Sequence, residues 1–377
     1  MKNCHILKWI PFGVRFIFVR GCDEMKKTNK KFSYFFFLVS FVVFVACMGG
    51  VSQSIEEGTE VSSVIDGESA VLVGGMPIGI YIEMDGVMVL KTDTIKGVDG
   101  QEYSPAKNAV LPGDYMVALN EQHIESKKHL LQLLSQLNED EIVLTIRRNQ
   151  EEFKVKIKPV EYNPGEYKLG IWVRDNVQGL GTVTFMTSKG KFGALGHGIH
   201  DIDTNTLLEL KDGTAYKTSI HSIQKGTNGN PGSLGGIIVY NYYNRLGEIT
   251  KNTEEGIYGT IGKVNELFEE QTVLPVASKE QIHTGDAKIR CFVEGEVQEY
   301  DIKILEIDTS SHAENKGIVL QVTDLALLEQ TGGIIQGMSG SPIIQDGKLI
   351  GAVTHVFVQD STKGYGIFIE NMLKHVE

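Results

Sequence analysis

The sequence predicts a mainly β protein with an N-terminal membrane segment, a small α+β domain and a larger all-β domain. Three observations support this prediction. An uninterrupted apolar run occupies residues 32–51, only residues 124–137 repeat leucine at helical spacing, and short β-branched stretches alternate with glycine-rich turns from about residue 160. With 377 residues the chain exceeds one typical domain, so more than one core is expected.

The overall composition restricts the classes of function. Charged residues make up 22% and hydrophobic residues 41%, which is ordinary for a globular protein. The net charge of −12 leaves no basic surplus to neutralise phosphates and argues against a nucleic-acid partner. Of the four cysteines only Cys291 lies in the body of the chain, which argues against a disulfide framework or a cysteine-rich zinc site there. No metal and no other cofactor is expected.

The apolar run predicts a membrane anchor or signal segment over residues 32–51. Lysines at positions 26, 27, 30 and 31 precede it, so residues 1–31 are expected to stay in the cytoplasm while the remainder crosses the membrane. The length just suffices for a spanning helix of about 20 residues. Val45-Ala46-Cys47 also matches part of a lipoprotein cleavage site. Met25 is the better start, so residues 1–24 are expected to be a mis-assigned extension.

A linker and a compact α+β domain are expected next. Residues 52–69 are polar, acidic and aperiodic, which predicts an exposed linker. The domain is expected over residues 70–160, with a helix in residues 124–137 and a hairpin that turns near Asn149-Gln150.

The motifs of this domain resemble those of bacterial PDZ domains. Ser104-Pro105-Ala106, Leu111-Pro112-Gly113-Asp114 and Val117-Ala118-Leu119-Asn120 match the family's characteristic run. The resemblance implies that the loop Pro77, Ile78, Gly79 and Ile80 captures the terminal carboxylate of a peptide with backbone N–H groups that are free of secondary structure. An ordinary turn that enters a strand is the alternative for these four residues.

The chemistry is suggested by the segment Gly337-Met338-Ser339-Gly340-Ser341-Pro342. A serine between glycines, ahead of a strand, is how a chymotrypsin-like protease presents its nucleophile. Gly337 allows a sharp turn, so that its N–H and the N–H of Ser339 are expected to form the oxyanion hole, and Gly340 is expected to leave room for the substrate backbone. A glycine-serine hairpin turn without catalytic function is the alternative.

A serine nucleophile needs a base and an acid that orients the base. His197 is framed by Gly196 and Gly198, which leave the ring open on both sides, and His200 is its rival. Asp201, Asp203 and Asp324 are candidate acids, among which the composition alone does not choose.

From Leu169 to Glu370 the chain resembles the stage IV sporulation protein B peptidase family. The motifs that carry the resemblance are GHGIHDIDT, GGIIQGMSGSPIIQDGKLIGAVTHVFVQDSTKGYGIFIE and a PDZ-like domain ahead of them. The resemblance implies a chymotrypsin-like double β-barrel serine protease domain over residues 161–377. It also implies a catalytic triad of His197, Asp324 and Ser339.

The same resemblance implies a role in sporulation signalling, in the space between the two forespore membranes. The expected substrates are the chain itself and a membrane-bound regulator of an intramembrane protease. Once the regulator is cleaved, the intramembrane protease is expected to activate the late mother-cell sigma factor. The remaining expected partner is the membrane, from which cleavage between Gln53 and Ser69 is expected to release the enzyme.

Two other functions remain open at this point. A serine–lysine dyad of Ser339 and Lys363 would make the chain a tail-specific type of protease, although those enzymes have helical catalytic regions. A membrane-tethered PDZ scaffold with an inactive protease domain is the non-enzymatic alternative.

Overall fold

Strands dominate the computed structural model, which describes residues 64–65, 68–137, 141–268, 271–293, 295–310 and 314–376. The strands are β1 (Val64–Ile65), β2 (Glu68–Val73), β3 (Pro77–Thr92), β4 (Ile95–Lys96), β5 (Glu102–Tyr103), β6 (Tyr115–Leu119), β7 (Gln122–His123), β8 (Ile142–Arg148), β9 (Glu151–Ile157), β10 (Val160–Asn163), β11 (Glu166–Lys168), β12 (Ile171–Met186), β13 (Lys191–Ala194), β14 (Asp212–Tyr216), β15 (Thr218–Gln224), β16 (Ser233–Ile238), β17 (Arg245–Thr253), β18 (Gly256–Ile261), β19 (Val273–Pro275), β20 (Gly285–Val293), β21 (Glu296–Ile307), β22 (Ile318–Val322), β23 (Pro342–Gln345), β24 (Lys348–Phe357) and β25 (Asp360–Phe368). The α-helices are α1 (Lys127–Ser135), α2 (Val264–Leu267), α3 (Leu325–Thr331) and α4 (Ile369–Leu373), and 3₁₀ turns occupy Tyr242–Asn244, Lys279–Gln281 and Glu314–Lys316. The expected mainly β class is confirmed.

Six strands pair in a closed ring, which we call the first barrel. Around the ring the neighbours are β3, β12, β13, β18, β17 and β14, and β14 pairs with β3 to close it. Ile78, Ile80 and Ile82 of β3 alternate along the strand and are buried in the core of this ring.

The second barrel is closed by β20, β21, β22, β25, β24 and β23. Its core contains apolar residues from each half of the ring, among them Ile289, Ile302, Leu320 and Val353. The six strands of each barrel can be numbered one to six in the order in which they occur along the chain. Around each closed ring the neighbouring strands then follow the order one, two, three, six, five, four. This repetition agrees with the two barrels that the sequence analysis expects.

A smaller domain is inserted into the hairpin of β3 and β12. The end of β3 leaves the first barrel and pairs with β6 at Val87 and Met88, and the sheet continues through β8 and β9. Leu130, Leu133 and Leu134 of α1 pack into the core of this sheet. The inserted domain therefore has a core of its own.

The helix and hairpin predicted for this domain are confirmed. Helix α1 begins after Ser126, whose hydroxyl accepts a hydrogen bond from the N–H of His129 at 3.1 Å and caps the helix. Strands β8 and β9 are joined by Asn149 and Gln150, which have φ angles of 50° and 67°. Two consecutive left-handed residues are typical of the tightest hairpin turns.

The loop predicted at Pro77 to Ile80 is wrong. These residues lie inside β3, where Ile78 pairs with Gly181 of β12 and Gly79 pairs with Tyr216 of β14. Their backbone groups therefore belong to the first barrel and are not free to capture a carboxylate. The pairing also changes the domain boundaries, because residues 70–83 lie in the sheet of the first barrel, ahead of the inserted domain.

The expectations for residues 1–31 and 32–51, and for most of the linker 52–69, lie outside the described residues. The end of the predicted linker is an exception, because Ser69 lies in β2 and its carbonyl accepts a hydrogen bond from Val276 at 2.8 Å. In the described part of the chain, no helix combines the length and apolarity needed to cross a bilayer.

Candidate active site

Ser339 lies in a tight turn between α3 and β23. The turn requires glycine on both sides of the serine, because Gly337 has φ +102° and Gly340 has φ +95°. The Ser339 hydroxyl donates a hydrogen bond of 2.8 Å to the carbonyl oxygen of Thr354 on β24. The predicted turn is confirmed, and the hydroxyl of Ser339 is hydrogen-bonded to strand β24 of the second barrel.

Two buried threonines of the first barrel hold this turn. The N–H of Thr182 donates to the carbonyl of Ser339 at 3.0 Å, and the Thr182 hydroxyl donates to the carbonyl of Gly337 at 2.7 Å. The Thr184 hydroxyl donates to the carbonyl of Gly340 at 2.8 Å. Sequence analysis missed both threonines, although their spacing of two on β12 places them on one face of the strand.

The N–H groups of Gly337 and Ser339 were predicted to form an oxyanion hole. Within the described residues neither group donates a hydrogen bond, whereas the N–H of Gly340 donates to Val353 at 2.8 Å. Because the carbonyls of Gly337 and Ser339 are already held by Thr182, the orientation of the turn is set before a substrate binds.

Gly340 serves a purpose other than the expected one. A Cβ atom at this position would lie 2.1 Å from the carbonyl oxygen of Thr182 and 2.5 Å from the backbone nitrogen of Leu195. The missing side chain therefore lets the serine turn approach the backbone of the first barrel. The room that the sequence analysis assigned to a substrate is occupied by the protein itself.

His197 lies in the loop that follows β13, two residues after Leu195, whose backbone faces Gly340. Nδ1 of His197 lies 2.9 Å from the carbonyl oxygen of Gly198. Because a carbonyl oxygen only accepts, Nδ1 carries the proton and Nε2 is left with a free lone pair. Burial lowers the pKa of His197 below its ordinary value, so the ring is neutral at neutral pH and can accept a proton.

The backbone around His197 is fastened by the hairpin of β17 and β18. The N–H of Gly198 donates to the carbonyl of Glu254 at 3.2 Å. Asn252 accepts a hydrogen bond from the N–H of Ile199 at 2.9 Å and donates to the carbonyl of Ile199 at 3.0 Å. Sequence analysis also missed Asn252, because no local motif marks this residue.

The segments that carry Ser339 and His197 both contact β24. The Ser339 hydroxyl contacts the carbonyl of Thr354, and a Cβ on Gly196 would lie 2.9 Å from Cγ2 of the same threonine. The ring of His197 lies against the next residue, His355, at a centroid distance of 4.9 Å. No hydrogen bond joins Ser339 to His197 within the described residues, because the Ser339 hydroxyl is bound to Thr354 and Nδ1 of His197 to Gly198.

The third predicted residue, Asp324, is not brought to His197. Its carboxylate caps α3, where Oδ1 accepts a hydrogen bond from the N–H of Leu327 at 3.0 Å. Oδ2 lies 3.3 Å from the N–H of Asp301 on β21. The direct contact of acid and base that a triad requires is therefore absent from the described residues.

The other candidate acids and bases have partners elsewhere. Asp201 and Asp203 both bind Arg174 of β12. Nε2 of His200 lies 3.2 Å from a carboxylate oxygen of Glu254. Nζ of Lys363 lies 3.3 Å from a carboxylate oxygen of Asp360.

Across the described ranges, no group of three or more histidine, cysteine, aspartate or glutamate side chains is arranged to hold an ion.

Two solved structures are similar to parts of this chain. Among solved structures, a PDZ domain of the SdrC-like protein Lmo2051 from Listeria monocytogenes matches 24% of this chain and 90% of its own, with 18% identity and a TM-score of 0.20. The inactive form of Rv3671c from M. tuberculosis, a serine-to-alanine mutant, matches 53% of this chain and 82% of its own, with 11% identity and a TM-score of 0.28.

No curated protein sequence matches the chain significantly. The sequence profile of the SpoIVB peptidase S55 family matches residues 165–373, which contain Ser339, His197 and both segments that carry the resemblance described above. Because this match covers more than half of the chain, the protein belongs to the SpoIVB peptidase S55 family.

Proposed function

We propose that the chain is a serine endopeptidase in which Ser339 is the nucleophile and His197 the general base. Membership of a peptidase family supports hydrolysis of peptide bonds. The observation that carries the residue assignment is the meeting of the serine turn and the His197 loop at Thr354. The neutral ring of His197, with its Nε2 lone pair free, supports the role of base.

The proposed reaction proceeds through an acyl-enzyme. Nε2 of His197 takes the proton of the Ser339 hydroxyl while Oγ forms a bond to the scissile carbonyl carbon. The resulting oxyanion accepts hydrogen bonds from the N–H groups of Gly337 and Ser339. His197 then gives the proton to the leaving nitrogen as the C–N bond breaks. A water molecule, deprotonated by His197, releases the acyl group and restores the serine.

We further propose that the substrates belong to sporulation signalling. The family name and the resemblance support this proposal. The substrates would be the chain itself and a membrane-bound regulator of an intramembrane protease, whose action activates the late mother-cell sigma factor. The apolar run at residues 32–51 supports an anchor that keeps the catalytic part in the space between the forespore membranes.

Self-cleavage is proposed to release the enzyme from this anchor. Because Glu68 to Val73 are paired in β2, the cut is expected ahead of that strand, from Gln53 onward. Polar, aperiodic connectors are preferred sites of proteolysis because they can extend into a protease cleft. Anchored neighbours also meet at high effective concentration, which favours cleavage between copies.

Intact-mass spectrometry with a fluorophosphonate probe tests the proposed function. The probe is added to wild-type protein and to the Ser339→Ala variant, each made alone in a host without relatives of this family. We expect one probe adduct on Ser339 and a shortened chain in the wild type, and neither change in the variant. An unlabelled wild-type protein would support the inactive scaffold, and identical shortening in both proteins would assign the cut to another protease.

The resemblance implies a triad role for Asp324, whereas its position at the start of α3 leads us to expect a capping role, and two variants distinguish these alternatives. Asparagine caps a helix as well as aspartate does, whereas alanine loses the cap at a cost of about 1 kcal/mol. Because the carboxylate contacts α3 and not His197, we expect Asp324→Asn to keep its activity within a few-fold, and Asp324→Ala to be less stable. A loss of about 10⁴-fold in Asp324→Asn, at unchanged stability, would instead identify Asp324 as the acid of the triad.

A further inference from the structure

A second histidine lies against the proposed base. His355 follows Thr354 on β24, and its ring centroid is 4.9 Å from that of His197, with the ring planes inclined by 37°. His197 belongs to the first barrel and His355 to the second. The contact therefore joins the base to the strand that holds the Ser339 hydroxyl.

The side chain of His355 has an unused polar atom. Nδ1 is buried and forms no hydrogen bond within the described residues. Buried polar atoms nearly always have a partner, so an exception next to a proposed base calls for an explanation. A neutral imidazole carries a nitrogen lone pair, which is attracted to positive charge.

The surroundings of His355 keep it neutral. Burial, and to a smaller extent electrostatic repulsion by His197, Lys316 and His200, lowers the pKa of His355 to about 4. Of these groups, His200 is itself paired with Glu254. At the pH where His197 acts as a base, His355 is therefore an uncharged, electron-rich ring.

A positive charge on His197 needs a stabilising neighbour. During the proposed reaction the ring becomes an imidazolium, yet no carboxylate of the described residues forms a hydrogen bond or an ion pair with it. Nδ1 of His197 is satisfied by Gly198, and the proposed reaction uses Nε2. The ring of His197 also contacts the ring of His355.

We propose that His355 is a positioning residue that holds the imidazole of His197 beside Ser339 and stabilises the imidazolium once His197 has taken the proton. The proposal rests on the proposed function and extends it. A cation near an uncharged aromatic ring or a lone pair is favoured electrostatically, most of all where water is excluded. His355 thereby supplies part of what a carboxylate supplies in other serine proteases.

Two variants of His355 test the proposal in the full chain. His355→Phe keeps an aromatic ring but loses both nitrogens, whereas His355→Gln keeps a polar acceptor. The matched control is His283→Phe, because His283 is exposed and pairs with Asp346 away from His197. We expect His355→Phe to lower kcat by about 10²-fold with KM nearly unchanged, because a misplaced base loses reactive geometry. We expect His355→Gln to recover about a tenth of the wild-type rate or more.

The pH profile separates a positioning role from simple packing. Loss of a group that stabilises the imidazolium lowers the pKa of His197, so the acid limb of the rate profile of His355→Phe is expected at lower pH than in the wild type. Melting temperatures check the fold, and if His355→Phe does not fold, the same shift is sought in His355→Gln. Wild-type kcat and an unchanged acid limb in a folded variant would overturn the proposal. Wild-type protein that the fluorophosphonate probe does not label would overturn the proposed function instead.

Discussion

Ser339→Ala is expected to lower kcat/KM by about 10⁴-fold or more, because removal of a serine nucleophile abolishes the acyl-enzyme route. The fold should survive. The variant loses one hydrogen bond, from the Ser339 hydroxyl to Thr354, which contributes about 1 kcal/mol to stability. Initial rates on a peptide substrate and thermal unfolding of the same preparations measure the two effects.

Ser341→Ala is the matched control for this variant. Ser341 belongs to the same glycine-serine motif, but its side chain is fully buried and its hydroxyl has no hydrogen-bond partner within the described residues. Replacing an unpaired buried hydroxyl by a hydrogen should leave activity unchanged and stability equal or higher. Full activity in Ser339→Ala together with loss of activity in Ser341→Ala would move the nucleophile to Ser341.

His197→Gln is expected to lower kcat by about 10⁴-fold or more, since the serine proton then has no acceptor of suitable basicity. Glutamine keeps a polar side chain of similar length, which limits the structural damage. Lys363→Ala is the control, because Lys363 pairs with Asp360 and should contribute only to the surface. An active His197→Gln protein beside an inactive Lys363→Ala protein would favour the serine–lysine dyad.

The pH dependence of the wild type carries further information about the base. Protonated His197 cannot accept a proton, so kcat/KM falls as the pH drops through the pKa of this residue in the free enzyme. Because burial lowers that pKa, the acid limb is expected below pH 6.5, the ordinary value for histidine. A midpoint above that value would mean that a carboxylate faces His197 in solution.

Local patterns predicted much of the fold. The leucine spacing of α1, the alternating strands β8 and β9 and the glycines around Ser339 each act over a few residues, so their conformations follow from propensity and steric freedom. The same holds for the mainly β class, because strand-forming stretches and turns can be recognised one at a time.

The assembly of the site depended on contacts between distant segments. Thr182 and Gly337 are 155 residues apart, yet the bond between them orients the serine turn. The sequence alone gave no reason to connect these positions, because the pairing of strands across a closed ring depends on the whole barrel.

The sequence by itself determined which residues carry the chemistry that we propose, namely a serine framed by glycines and a histidine framed by glycines. The tertiary structure decided what surrounds them. It placed Pro77 to Ile80 inside a barrel strand, bound Asp324 to a helix terminus and set His355 against His197. The pairing of Pro77 to Ile80 and the contact of His355 with His197 depend on long-range pairing and side-chain packing, which no local spacing encodes. The cap of α3 by Asp324 is a local contact, and the spacing of the residues did not distinguish it from a catalytic role.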